Sequence, residues 1–256
     1  MDNEKKDLLT AESDGVIEGR NAVIEALRSE ATIDKIFIQK GETDKTLGHI
    51  ASKARAAGIV VVDADRRKLD GMSRTHSHQG VIALIAARQY VEVQDIIDIA
   101  AKKGEAPLIV VCDEISDPQN LGAIIRTAEC AGAHGVIIPK RRSAGLTAIV
   151  AKTSAGAVSY VPVARVANIT ATLKELKKQG VWVYGTAADG KASLYQTDFK
   201  GACAIVIGSE GDGMTRLVSE TCDVLVNIPM KGRLSSLNAS ASAAILMYEV
   251  VRQRLG

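Results

Sequence analysis

Short apolar runs alternate with longer amphipathic segments in the first third of the chain. Runs such as Ile33–Ile38 have the length and β-branched content of buried strands, and the segments between them repeat apolar residues at helical spacing. Strands are therefore predicted at residues 33–38, 59–62 and 81–86, and helices at residues 19–29 and 46–57. This pattern predicts a small α/β domain over residues 15–88, after a polar and disordered tail, residues 1–14.

A second alternation of strands and helices fills residues 107–256, after a linker helix within residues 89–106. Its apolar runs are nearly continuous, which is typical of parallel strands that are buried on both faces. Strands are predicted at 107–112, 135–139, 161–163, 181–184, 204–207 and 224–228, and helices at 121–131, 146–153, 169–179 and 237–254, with a polar loop at 113–120. We therefore expect a mostly parallel sheet with helices on both faces and a ligand beyond the carboxyl ends of the strands.

The overall composition limits the class of protein. With 256 residues and 46% hydrophobic content, the chain has enough material for one large or two modest domains. No apolar run approaches the roughly 18 residues that cross a bilayer, and the first residues lack the order of a signal peptide. We therefore expect a cytoplasmic protein without a membrane partner. The four cysteines have no metal-ligand spacing, so we expect buried, reduced thiols and no metal site.

Glycines and small polar residues cluster where the last predicted strands end. Residues 208–213 surround a carboxylate with glycines, and residues 234–238 lead into an alanine-rich helix. Strand ends beside a helix N-terminus suit a ligand pocket formed by backbone amides. The glycine order is not GxGxxG, and the chain contains neither GxxxxGK[ST] nor GxSxG, so nicotinamide, P-loop and serine hydrolase chemistry are disfavoured. The net charge of +2 and 3% aromatic content do not by themselves indicate a nucleic-acid partner.

Three stretches carry a more specific signal. They read Asn120-Leu-Gly-Ala-Ile-Ile-Arg126-Thr-Ala, Ile207-Gly-Ser-Glu-Gly-Asp-Gly213 and Ile228-Pro-Met-x-Gly-x-x-x-Ser236-Leu-Asn238. In order and spacing they resemble the three motifs of the SpoU (TrmH-type) RNA 2′-O-ribose methyltransferases. Residues 15–88, with Gly19-Arg-Asn-Ala-Val and His78-Gln-Gly, resemble the substrate-binding domain of the subgroup that methylates a guanosine of 23S rRNA.

The resemblance implies a fold and an activity. The fold is an α/β knot, a deep trefoil, in the C-terminal domain, with a ribosomal-protein-like α/β domain before it that binds structured RNA. The activity is 2′-O-ribose methylation with S-adenosyl-L-methionine as cofactor, by a homodimer formed through the catalytic domains. The expected substrate is rRNA. A tRNA 2′-O-methyltransferase of the same family and a non-catalytic RNA-binding ribosome-assembly factor are the alternatives.

The resemblance also implies the roles of individual residues. The residues expected to bind the cofactor are Thr186, Ala187, Gly208, Gly211, Ile228, Met230, Ser236 and Leu237. Those expected to take part in catalysis are Arg126, Glu210, Ser236, Asn238 and Asn120.

For several of these residues the pattern alone leaves a plainer alternative open. Because a guanidinium stays protonated, we expect Arg126 to hold a phosphate and stabilise the developing alkoxide, with a surface ion pair to Glu129 as the alternative. Asn120 is expected in a loop, whereas Ser236 and Asn238 are expected either to cap the last helix or to act directly. Glu210 is expected to hold its loop or to favour the sulfonium charge, and the basic cluster 140–142 is assigned to RNA phosphates.

Overall fold

The computed structural model describes residues 15–29, 31–41 and 44–256, so the predicted disordered tail, residues 1–14, lies outside the described residues. The described residues divide into two compact units, one formed by those from 15 to 89 together with 146–148, the other by residues 90–145 and 149–256. None of the helices in the described ranges is both long and apolar enough to cross a membrane.

The first unit contains a four-stranded mixed sheet. Its elements are β1 (Val16–Glu18), α1 (Arg20–Ala26), β2 (Ile33–Gln39), α2 (Lys45–Ala56), β3 (Val60–Ala64), α3 (Arg66–Met72) and β4 (Val81–Ile85). The strand order is β1-β4-β2-β3, with β2 parallel to β3 and β4 antiparallel to both of its neighbours. Ile36, Ile50 and Val81 are fully buried in its core.

All strands and helices predicted for this unit are confirmed, with ends that differ by a few residues. The pattern missed β1 and α3. A strand of three residues is too short to show a period, and α3 begins with three basic residues and buries only Leu69.

The second unit contains a seven-stranded sheet, in which all pairings are parallel. Its helices are α4 (Val93–Lys103), α5 (Pro118–Cys130), α6 (Ala148–Thr153), α7 (Ile169–Lys178), α8 (Arg216–Thr221) and α9 (Ala239–Leu255). Its strands are β5 (Leu108–Cys112), β6 (Gly135–Pro139), β7 (Val163–Val166), β8 (Trp182–Thr186), β9 (Ala192–Ser193), β10 (Cys203–Ile207) and β11 (Val224–Asn227). The predicted α/β class with a parallel sheet is confirmed.

The strand order of this sheet, β7-β6-β5-β10-β8-β11-β9, places β10 between β5 and β8. β11 lies beyond β8, yet the following helix α9 packs against α5 and β10. The chain after β11 therefore returns across β8 toward the middle of the sheet. A trefoil knot in this unit stays a prediction.

The start of helix α5 differs from the prediction. Helix α5 begins at Pro118, so Asn120 lies in its first turn and not in a loop. Asp117 caps the helix by accepting a hydrogen bond from Gln119 N at 2.9 Å, and proline is favoured at the first helical position because it has no N–H to satisfy. The Asp117-Pro118 pair indicates where this helix begins, and the hydrophobic pattern does not show it.

The expectation of buried thiols was wrong for part of the set. Cys112 and Cys203 are buried in adjacent strands, whereas Cys130 is exposed at the end of α5 and Cys222 is partly buried. An amphipathic helix exposes one face, and Cys130 falls on that face.

Candidate active site

Loops that follow three neighbouring strands, β10, β8 and β11, enclose a cavity of about 820 Å³. This is the carboxyl edge of the parallel sheet, where such folds bind ligands. The eight residues predicted to contact the cofactor all line it: Thr186, Ala187, Gly208, Gly211, Ile228, Met230, Ser236 and Leu237. Of the predicted catalytic residues, Glu210 and Ser236 line it, and Asn120, Arg126 and Asn238 do not.

The loop after β10 folds back on itself at a glycine. A Cβ atom on Gly208 would overlap the backbone of Gly213 and Met214, so no other residue fits without moving that backbone. Ser209 and Gly213 pair through two backbone hydrogen bonds of 2.9 and 3.0 Å, and Gly213 has the left-handed φ of 69°. The turn thereby brings backbone groups of the loop to the cavity wall.

Three predicted catalytic residues meet in one hydrogen-bond network. Asn120 donates from Nδ2 to Glu210 Oε1 at 3.0 Å, and Asn238 Nδ2 donates to the same carboxylate oxygen. Asn238 Nδ2 also lies 2.9 Å from Asn120 Oδ1. The network ties helix α5 to the loop after β10 and to the start of α9. Glu210 therefore has observed partners that hold its loop.

Asn238 is also the N-cap of α9. Its Oδ1 accepts hydrogen bonds from Ser240 N at 2.9 Å and Ala241 N at 3.3 Å. Of the two residues predicted to cap the helix, Asn238 therefore has the cap position. Ser236, two residues earlier, is exposed and lines the cavity. The cap satisfies the first amides of α9, and the start of this helix carries one wall of the cavity.

Arg126 lies on the exposed face of α5, six residues after Asn120. Within the described ranges its side chain makes no hydrogen bond or ion pair, and the alternative pairing with Glu129 is not observed. Six positions along a helix of about 3.6 residues per turn place Arg126 and Asn120 on different sides of α5. In a single copy of the chain, Arg126 is therefore outside the set of cavity-lining residues.

Several residues that line the cavity were not predicted from the sequence. They include Asp189 after β8, Asp212 and Met214 in the loop after β10, and Asn227 and Ser242. Asn227 has a structural task, since its Nδ2 donates to Gly190 O at 2.5 Å and so closes the loop after β8. For all of these residues except Ser242, which lies within α9, the position at or after a strand end was the available signal.

A buried carboxylate anchors the far end of the loop after β10. Asp113 follows β5, is only 3% exposed, and accepts a hydrogen bond on Oδ2 from Thr215 N at 2.6 Å. Burial raises the pKa of Asp113, and the hydrogen bonds from Thr215 oppose that rise. Thr215 comes directly after the cavity-lining Met214, so this bond fixes where the loop ends.

The parallel sheet and the cavity at its carboxyl edge define an α/β enzyme domain built to hold a small organic ligand against loop backbone. Two family descriptions match the chain: the SpoU rRNA methylase family over residues 107–248, and the RNA 2′-O ribose methyltransferase substrate-binding domain over residues 16–91. The chain belongs to the SpoU rRNA methylase family, and it is an RNA 2′-O-methyltransferase.

Individual relatives agree with this assignment over nearly their whole length. The protein YacO of Bacillus subtilis, whose name assigns it to the TrmH family of tRNA/rRNA methyltransferases, is 47% identical over 92% of this chain and 94% of its own. The 23S rRNA (guanosine-2′-O-)-methyltransferase RlmB of Ralstonia nicotianae is 44% identical over 92% of this chain and 94% of its own. The crystal structure of an AdoMet-bound rRNA methyltransferase from Sinorhizobium meliloti is similar with a TM-score of 0.62 and 25% identity, over 98% of this chain and 95% of that one.

Proposed function

We propose that this protein transfers a methyl group from S-adenosylmethionine to the ribose 2′-oxygen of a guanosine in 23S rRNA. The observation that carries the proposal is the glycine-walled cavity, which is lined by residues of the second and third sequence motifs and joined to the first motif by the network of Asn120, Glu210 and Asn238. The relative from Ralstonia, which matches both units, supports the choice of 23S rRNA guanosine over tRNA. With ribosomal RNA as substrate, the proposed location is the cytoplasm.

The cavity residues fit S-adenosylmethionine. Its volume of about 820 Å³ is within the range of small-molecule sites. Gly208 lets backbone groups approach a ligand closely, and Ile228 and Leu237 offer apolar surface for an adenine ring. When bound, S-adenosylmethionine supplies an electrophilic methyl group on a sulfonium. The carboxylates of Asp189, Glu210 and Asp212 on the lining favour a cationic ligand.

Each unit has a proposed task. We assign residues 15–88 to RNA binding and residues 107–256 to methyl transfer, with residues 89–106 as the connection. The substrate-binding description over residues 16–91 supports the first of these assignments. The motif residues of the second unit support the assignment of residues 107–256 to methyl transfer.

Arg126 is the proposed catalytic residue. Its guanidinium stays protonated, so it acts by holding a phosphate and stabilising the negative charge that develops on the 2′-oxygen. Because Arg126 is outside the cavity lining of its own chain, we propose that it serves the cavity of a second copy.

A homodimer through the catalytic domains is part of the same proposal. Tyr160 and Tyr248 are 79% and 50% exposed, and both lie on segments that pack against α5. Exposed aromatic side chains on both segments beside the helix of Arg126 support a protein contact there.

The proposal is tested with purified protein, labelled S-adenosylmethionine and unmodified 23S rRNA. We expect one guanosine to gain a 2′-O-methyl group, and we expect Arg126→Ala to lose turnover while it keeps its affinity for the cofactor. Lys178→Ala, which removes an exposed cation elsewhere in the same unit, is the control. Methyl incorporation into tRNA alone would overturn the substrate, and near-full turnover of Arg126→Ala would overturn its role. No cofactor binding in calorimetry would favour an assembly factor.

A further inference from the structure

A second cavity opens on the same edge of the large sheet, beyond the carboxyl ends of β5, β6 and β7. Its volume is about 290 Å³. Its polar lining comes from the loops after β5 and β6 and from the starts of α7 and α8: Asp113, Glu114, Arg141, Arg142, Asn168, Thr170 and Thr215. None of these residues belongs to the three sequence motifs.

Of the two carboxylates of this cavity, Glu114 is paired with a cation and Asp113 is buried. Glu114 Oε1 pairs with Arg142 Nη1 at 3.1 Å, and Asp113 accepts the hydrogen bond from Thr215 N. Arg141, by contrast, makes no hydrogen bond or ion pair with any residue in the described ranges. The cavity therefore has one guanidinium that is not paired with any carboxylate of the described residues.

The start of α7 adds hydrogen-bond donors to the same cavity. Asn168 caps this ten-residue helix by accepting from Ala171 N at 3.0 Å, which leaves the amides of Ile169 and Thr170 without a partner in the described residues. Both residues line the cavity. Two available amides at the positive end of a helix dipole, together with a guanidinium, form a cavity that suits an anion.

The two cavities share a wall. Met214 lines the larger cavity and Thr215 lines the smaller one, so the end of the loop after β10 separates them. β10 and β6 are two steps apart in the sheet, which corresponds to roughly 10 Å at a strand spacing of about 4.8 Å. A single RNA strand whose ribose reaches the larger cavity covers that distance within a few nucleotides.

We propose that the smaller cavity binds a backbone phosphate of the RNA strand that carries the target ribose, with Arg141 as its main ligand. This inference rests on the proposed function, because it assigns RNA as the occupant. Arg142 remains paired to Glu114 and shapes the wall, while the amides of Ile169 and Thr170 complete the phosphate shell. A contact of this kind positions the strand and carries no sequence information.

The test compares wild type, Arg141→Ala and Lys178→Ala. Lys178 is the matched control, since it is an exposed cation at the opposite end of α7. Methylation of a 23S rRNA fragment gives KM and kcat, fluorescence anisotropy against KCl gives the salt dependence of RNA binding, and calorimetry gives cofactor affinity. For Arg141→Ala we expect a KM for RNA about tenfold higher and a log–log salt slope smaller by about 0.7 to 1, which is the loss of one phosphate contact.

Cofactor affinity should stay unchanged in Arg141→Ala, since the two cavities are separate, and kcat should change far less than KM. If Arg141→Ala keeps the KM and salt slope of the wild type, the inference is overturned. The proposed function still stands in that case, provided that the wild type methylates RNA. A wild type that binds no cofactor and methylates no RNA would overturn the proposed function itself. Saturable binding of inorganic phosphate that is lost in Arg141→Ala, with RNA binding unaffected, would identify a small-anion site and exclude RNA.

Discussion

Removing the carboxylate of Glu210 tests whether the hydrogen-bond network holds the cofactor cavity together. In Glu210→Ala, Asn120 loses the acceptor of its Nδ2, and Asn120 is only 8% exposed. A buried donor without a partner costs about 1 to 3 kcal/mol. Asn238 is exposed, so its freed amide turns to water and adds little. The expected total loss is therefore about 1 to 3 kcal/mol, most of it from Asn120.

The loss should appear in one of two measurable quantities. If the loop stays in place, the cofactor-free protein loses unfolding free energy in a denaturant titration. If the loop loosens and water reaches Asn120, the cost appears as weaker S-adenosylmethionine binding in calorimetry, where each 1.4 kcal/mol is about tenfold in Kd. We expect the two losses to sum to about 1 to 3 kcal/mol.

Two further variants make the result specific. Glu210→Gln keeps an oxygen acceptor for Asn120 and should recover most of the loss. Glu220→Ala removes an exposed carboxylate that pairs with Arg216 at 3.4 Å, and it should cost less than about 1 kcal/mol. A summed loss below about 0.5 kcal/mol in Glu210→Ala would refute the reasoning, because it would show that the network carries no appreciable energy.

Three other predictions follow from single contacts. Gly208→Ala should weaken cofactor binding by tenfold or more in calorimetry. The alanine Cβ would displace the backbone of Met214 at a cost of about 1 to 3 kcal/mol. Unchanged affinity would contradict this prediction. His134 is buried and accepts a hydrogen bond from Leu108 N at 3.0 Å, and burial lowers its pKa below the ordinary value of 6.5. The unfolding free energy should therefore fall as the pH drops below about 6.5. His134→Gln should lack that part of the pH dependence. Arg254 donates hydrogen bonds to three backbone carbonyls at 2.8 to 3.0 Å near the starts of β5 and β10. Arg254→Ala should therefore lower the unfolding free energy, measured in urea, by about 1 to 3 kcal/mol. A change under about 0.5 kcal/mol would show that these hydrogen bonds are dispensable.

Much of the fold and of the cavity could be predicted from the chain itself. Continuous apolar runs such as 203–207 indicated buried parallel strands, and glycines and polar residues after them indicated a ligand site at the carboxyl edge. The predictions failed where the signal was short or polar. β1 has three residues, α3 begins with three basic residues, and the start of α5 depends on the Asp117-Pro118 pair and not on periodicity.

The sequence by itself determined the element types, the parallel class of the sheet and, through its three motifs, the kind of chemistry. Tertiary structure alone decided which side chains meet. Asn120 lies 90 residues before Glu210 and 118 before Asn238, yet the three share hydrogen bonds, and Asp113 reaches Thr215 across 102 residues. Periodicity reports only which face of its own strand or helix a residue occupies. The meeting of distant residues depends on strand order, here β5 beside β10, and a local pattern carries no information about that order.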